Sequence, residues 1–197
     1  VLDDLRSDAA RVNEALTRQG FAPLQARPKL LEALSLHLRA GNWQARLALR
    51  PNGDCSELAA VLPVGAPLLG LAVDMGSTKL ALFLVELESG SVLGQAGVMN
   101  PQIVFGDDVV SRIAYANKSA ENRKLLQTRL VEAINQGAAE LCRKENGCIE
   151  QIVEIVAVGN TAMHHLFCGL PVEQLGSAPY VPVTDAALVF PAAEVGL

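Results

Sequence analysis

Apolar and polar positions change rhythm along this chain, and each change predicts an element. Between Ser7 and Gly20 the residues Ala9, Val12 and Leu16 recur at helical spacing, with Ser7 placed to cap the helix and Gly20 to end it. Pro28 suits the first turn of a second helix that carries Leu30, Leu31, Leu34 and Leu38 on one side and stops at Gly41. The period then falls to two. Trp43, Ala45, Leu47 and Leu49 share one face of a strand, Pro-Asn-Gly-Asp turns the chain, and SELAAVLPV returns. His37 lies beside the leucines of the second helix, where a packed histidine is a simpler reading than a ligand.

Pro63, Gly65 and Pro67 punctuate a linker, and a new pattern begins at Leu68. It predicts a strand to Asp74, a second from Leu80 to Leu87, a Ser-Gly turn, and a third from Val92 to Val98, together an antiparallel meander. A helix follows over 107–116. A longer one over 121–143 presents Leu126, Leu130, Ile134, Ala138 and Leu141 as its buried stripe. The apolar run IVEIVAVG, rich in β-branched residues, reads as a central strand, and GNTAMHHLFCG as a loop opening a helix. The expectation is a mixed α/β chain in two parts: a small α+β domain over 1–66, and a β-β-β-α-β-α unit over 67–197.

Half of the 197 residues are apolar and 19% are charged, as in a packed globular protein. A formal net charge of −5 argues against a nucleic-acid-binding face, and no apolar run of about 18 residues suggests a membrane span. The chain opens without an initiator Met or a signal-peptide core, and both ends read as cut from a longer protein. Cys55, Cys142, Cys148 and Cys168 form no Cys-x-x-Cys pair and fit no zinc or iron–sulfur spacing; they read as ordinary buried or half-buried thiols of a cytoplasmic protein.

The chemistry concentrates in LAVDMGSTK. An acid ends a buried strand, and a Gly-Ser-Thr turn follows where Asn-Gly alone would make a hairpin. Gly76 lets the backbone approach a ligand, the N–H groups of Gly76, Ser77 and Thr78 can form an anion nest, and Asp74 can hold the water shell of a magnesium ion. Lys79 either offsets phosphate charge or points to solvent. Gly159, Asn160 and Thr161 repeat the arrangement, small and hydroxylated residues between a strand and a helix, as an anion site or a helix cap. Asp107 and Asp108 either cap a helix, with Arg112 pairing one turn on, or face a cleft. Asn100 to Gln102 borders that cleft or makes a turn. His164 and His165 point about 100° apart on a helix, so a His-His metal site is not expected, although one of them could meet a partner.

LAVDMGSTKLALFLVELESGSVL resembles the first phosphate motif of the actin, Hsp70 and sugar-kinase superfamily. VMNPQIVFGDDVVSRIAYA, VAVGNTAMHHLFCGLP and APYVP resemble ATP-dependent reductive activators of corrinoid proteins, over most of Leu68 to Pro182. The resemblance implies a middle domain followed by the first lobe of an actin-like (ribonuclease H-like) ATPase, with the second lobe and an N-terminal 2Fe–2S ferredoxin domain outside this fragment. It implies ATP and magnesium as ligands, with Asp74 as the catalytic and metal-facing acid. Gly76, Ser77, Thr78, Lys79, Gly159, Asn160 and Thr161 would surround the nucleotide. The implied job is to return a corrinoid from Co(II) to Co(I), on a corrinoid iron–sulfur protein or a methyltransferase corrinoid subunit. Asp107, Asp108, Arg112, His164 and His165 would be cleft or partner contacts. A homodimer is a further expectation, whereas a nucleic-acid or membrane partner is not. A small-molecule kinase of the same superfamily and a non-enzymatic actin-like scaffold are the alternatives.

Overall fold

The computed structural model describes residues 5–197 and divides into two compact units, one ending at Leu68 and one spanning Leu69–Leu197. The first unit opens with α1 (Asp8–Arg18), whose Ser7 side chain accepts the Ala10 N–H at 3.2 Å. A two-residue strand, β1 (Leu24–Gln25), leads to α2 (Pro28–Ala40) and the hairpin β2 (Arg46–Asn52) and β3 (Cys55–Leu62). The sheet runs β1-β3-β2, parallel at the first pairing and antiparallel at the second. Its core is Leu34, Leu38, Leu58 and Val61, with Val12, Leu24, Leu30, Leu47 and Leu49 packed around them.

Three details differ from the pattern reading. Leu31 stands outside the buried face, because Leu30, Leu34 and Leu38 already fill the stripe that meets the sheet. Trp43 precedes the strand, in a turn with φ of 65°. Its ring packs under the guanidinium groups of Arg11 at 4.8 Å and Arg39 at 5.7 Å, which places it by cation–π contact instead of strand alternation. The short parallel strand β1 gives too brief a signal to show as alternation.

The second unit is a four-stranded mixed sheet in the order β6-β5-β4-β7. The antiparallel meander is β4 (Leu69–Met75), β5 (Lys79–Glu86) and β6 (Ser91–Met99), and β7 (Ile152–Gly159) lies parallel to β4. A 3-10 turn (Pro101–Phe105), α3 (Val109–Ala116) and α4 (Ala120–Lys144) connect β6 to β7, and α5 (Thr161–Cys168) follows. Alternation puts Leu69, Leu71, Val73 and Met75 of β4 with Leu80, Leu82 and Leu84 of β5 on one face. There they meet Leu130, Ile134, Ala138 and Leu141 of α4. Each such leucine, taken fully from water, contributes about 1.5–3 kcal/mol. Gly137 allows the close approach, since a Cβ there would lie 2.8 Å from a Leu82 methyl. The mixed α/β order expected from the pattern is the one found.

β7 corrects the sequence reading. It is an edge strand among the described residues, paired to β4 alone, and Val156 and Val158 are 56% and 55% exposed. Ile155 and Ala157 face the α4 core, while the alternate valines face away from it. A run rich in β-branched residues therefore marks a strand here without marking a central position in the sheet. No helix among the described residues is long and apolar enough to cross a membrane.

Candidate functional site

Parallel pairing of β4 and β7 carries both strand ends to one edge of the sheet: Asp74 lies opposite Val158, and Met75 opposite Gly159. The two small-residue loops, 76–78 and 159–161, therefore emerge side by side, the place where α/β sheets present loops to ligands. Asp74 is exposed at the end of β4, and Thr78 and Lys79 are exposed on the turn beyond it. Gly76 is required by packing: a Cβ there would stand 2.5 Å from the Lys79 carbonyl oxygen. Gly159 is similarly close, 3.1 Å from the Met75 carbonyl oxygen.

Asn100 ties this edge together. It is 1% exposed at the end of β6. Its Nδ2 donates to the Gly76 carbonyl at 2.8 Å, its backbone N–H donates to the Thr78 carbonyl at 2.9 Å, and its Oδ1 accepts the Gln102 N–H at 3.0 Å. Of the two readings of Asn100–Gln102, a cleft border or a turn, the structure shows the turn, capped by Asn100. The available signal was an Asn-Pro directly after a strand, which suits a capped turn. The hold on the phosphate-type turn is tertiary and left no trace in local sequence.

On the second loop, Asn160 caps α5 by accepting the Met163 N–H at 3.0 Å, and Thr161 is exposed at the first helical position. Asp108 caps α3, accepting the Ser111 N–H at 2.6 Å; the Ser111 hydrogen bonds hold its carboxyl below the usual range. Asp107 beside it is exposed.

Arg112 overturns the reading of an ion pair one turn on. Its side chain is fully buried, with Nε donating to the Gly106 carbonyl at 2.9 Å and Nη1 directed at the Met163 sulfur at 3.8 Å. Burial pushes the guanidinium pKa down, and the nearby Asp108 and Asp107 oppose this from the surface. Nη2 has no hydrogen-bond partner, and neither has Oε1 of buried Gln102.

His165 overturns the reading of a surface partner contact. It is fully buried, its Nδ1 lies 2.7 Å from the Thr161 carbonyl, and its Nε2 accepts the Val183 N–H at 3.0 Å. His164 is half-buried, and its ring meets that of His165 edge-on at 5.6 Å. Of the thiols read as buried or half-buried, Cys148 is exposed. Burial raises the pKa of Cys142 and Cys168, as expected for unreactive thiols. Among the described residues no three His, Cys, Asp or Glu side chains group as a metal site.

The turn fits an oxyanion. No hydrogen bond from the Ser77 or Thr78 N–H to a backbone acceptor is found among the described residues. Asp74, at the same edge, presents an exposed carboxylate, a hard oxygen donor of the kind that suits a hydrated divalent cation.

Comparison with known proteins matches residues 69–197 to the RACo middle region and residues 1–65 to the RACo linker region. The chain is 35% identical over 115 residues to the corrinoid activation enzyme RamQ of Eubacterium limosum, covering 58% of this chain and 19% of that protein. It is similar to the structure of a reductive activator for a corrinoid, iron–sulfur protein, with a TM-score of 0.76 and 30% identity. That match covers 99% of this chain and 31% of the other, so the chain spans about a third of the solved relative and less of the curated one.

Proposed function

The chain belongs to the RACo family through its linker and middle regions, and from that premise we propose that its parent protein reductively activates a corrinoid protein at the expense of ATP. The observation that carries the nucleotide part is that turn 76–78 and loop 159–161 leave neighbouring parallel strands at one edge of the sheet, with exposed Asp74 at the end of β4. In this reading the Ser77 and Thr78 amides and hydroxyls hold phosphate oxygens. Asp74 orders magnesium-bound water, and the loop capped by Asn160 closes the other side.

Magnesium would supply charge neutralisation of the phosphates. The reduction itself would be a one-electron step in which the substrate corrinoid passes from Co(II) to Co(I), its electron supplied by a reduced iron–sulfur cluster that the resemblance implies outside this chain. The chain's own part is to bind nucleotide and to exist in nucleotide-dependent conformations that favour one state of the complex with the corrinoid protein. The partner is a corrinoid protein, in keeping with what the similar activators are named for.

The test uses the full-length parent, handled without oxygen and mixed with a Co(II) corrinoid protein and a reductant. Co(I) absorbance should appear with MgATP and not without it. ATP consumption on adding small alcohols or acids, with no Co(I) from any corrinoid partner, would instead favour a kinase.

A further inference from the structure

We infer that Asn100 is a positioning residue for the phosphate-type turn: its side chain sets the peptide plane between Gly76 and Ser77 so that the Ser77 N–H faces the ligand. The inference rests on the nucleotide reading above and assigns a residue that the reading does not use.

The orientation of the amide is fixed by its neighbours. The Gln102 N–H can only donate, so the Asn100 atom facing it is Oδ1; the Gly76 carbonyl can only accept, so the atom facing it is Nδ2. A trans peptide sends its C=O and N–H in opposite directions. Holding the Gly76 carbonyl inward at 2.8 Å therefore turns the Ser77 N–H outward. A second grip on the same turn, from the Asn100 backbone N–H to the Thr78 carbonyl at 2.9 Å, limits rotation at the far end. At 1% exposure the clamp does not compete with water, so it holds the amides in place before a ligand arrives. Binding then costs less reorganisation.

Nδ2 also lies 3.9 Å from the Met163 sulfur, so the same amide spans from the first loop toward the helix that opens the second. This is the only side chain shown to reach from the end of β6 to both loops' elements, among the described residues.

The experiment is calorimetric binding of ATP and adenosine to the full-length parent, comparing wild type with Asn100→Asp and Asn100→Ala. Aspartate keeps the acceptor facing Gln102 but sets an oxygen against the Gly76 oxygen. Alanine removes the clamp without adding charge, so it separates repulsion of phosphate from loss of positioning. Both variants should weaken ATP by about tenfold or more, as expected for losing one well-placed bond to an anion, and leave adenosine binding unchanged. Equal losses for ATP and adenosine would make Asn100 a folding residue only and overturn the inference. If Asn100→Asp does not fold, the alanine variant decides alone. A wild type that binds ATP with an alanine variant that matches it overturns the positioning role but leaves the nucleotide reading standing. A wild type that binds neither nucleotide nor nucleoside overturns both.

Discussion

His165 holds Val183 from eighteen residues away: the Val183 N–H donates to Nε2 at 3.0 Å while Nδ1 reaches the Thr161 carbonyl at 2.7 Å. A backbone N–H can only donate, so Nε2 carries the lone pair and Nδ1 the proton, which makes this imidazole a neutral strut between α5 and the chain beyond it. His165→Phe keeps the bulk and loses both bonds. It should cost about 1–3 kcal/mol of stability in urea denaturation and speed hydrogen exchange at Val183. A variant with native exchange at that amide would show that the strut is not what holds the segment.

Much of this architecture was legible because the core follows local periodicity. Leu126, Leu130, Ile134, Ala138 and Leu141 are all buried, as a helical stripe should be. The candidate residues around Asp74 were legible as types, since an acid and small hydroxylated residues at a turn are chemically conspicuous. What the sequence hid is tertiary. Arg112, His165 and Asn100 are polar residues buried by partners distant in the chain, and no local pattern separates them from surface residues. The exposure of Val156 and Val158 was hidden for the converse reason: β-branched character marks a strand, and only the strand order tells how many of its faces are covered.

Gly76 and Gly97 should respond oppositely to alanine. At Gly76 the added methyl would meet the Lys79 carbonyl oxygen at 2.5 Å, a backbone atom that cannot swing aside. At Gly97 nothing lies within 4 Å of where the methyl would stand. Gly76→Ala should destabilise by about 1–3 kcal/mol, while Gly97→Ala should be neutral or gain about 0.4–1 kcal/mol from a less flexible unfolded chain. Thermal melts of the two variants check the contrast, and equal shifts would refute the packing argument at the turn.

Asp74 separates function from fold. Its side chain is exposed at the end of β4, so Asp74→Asn should leave the denaturation midpoint within the scatter of a surface change, about 0.5 kcal/mol. Under the proposed function, MgATP affinity of the full-length parent should fall by at least about tenfold. Unchanged affinity and ATPase rate would remove Asp74 from the site.

His164 predicts a pH dependence. Burial holds its pKa below the ordinary 6.5. The unfolded chain therefore binds this proton more readily than the folded one, and stability rises with pH across the interval between the two values. The contribution is complete above about pH 6.5 and is lost as pH falls from there through the lower folded-state value. Urea midpoints measured from pH 5 to 7 should rise with pH, and His164→Gln should flatten part of that slope. A slope untouched by the substitution would assign the dependence to other groups.

Arg112 poses the sharpest energetic question. A guanidinium remains charged at any physiological pH, and this one is fully buried with one nitrogen unpartnered and no carboxylate in an ion pair with it among the described residues. Buried charges are costly, and replacing them with apolar groups of similar volume is often neutral or stabilising. Arg112→Met should therefore fold with stability within about 1 kcal/mol of wild type, offsetting the lost bond to the Gly106 carbonyl by removing the buried charge. Arg112→Ala should lose about 2–4 kcal/mol, because it leaves a cavity beside Met163. Urea denaturation of both variants distinguishes the terms. A methionine variant as unstable as the alanine one would show that the charge itself stabilises this interior. A methionine variant as stable as wild type would mean that the cation serves something other than folding, one Met163 contact away from the Asn100 clamp and the turn it holds.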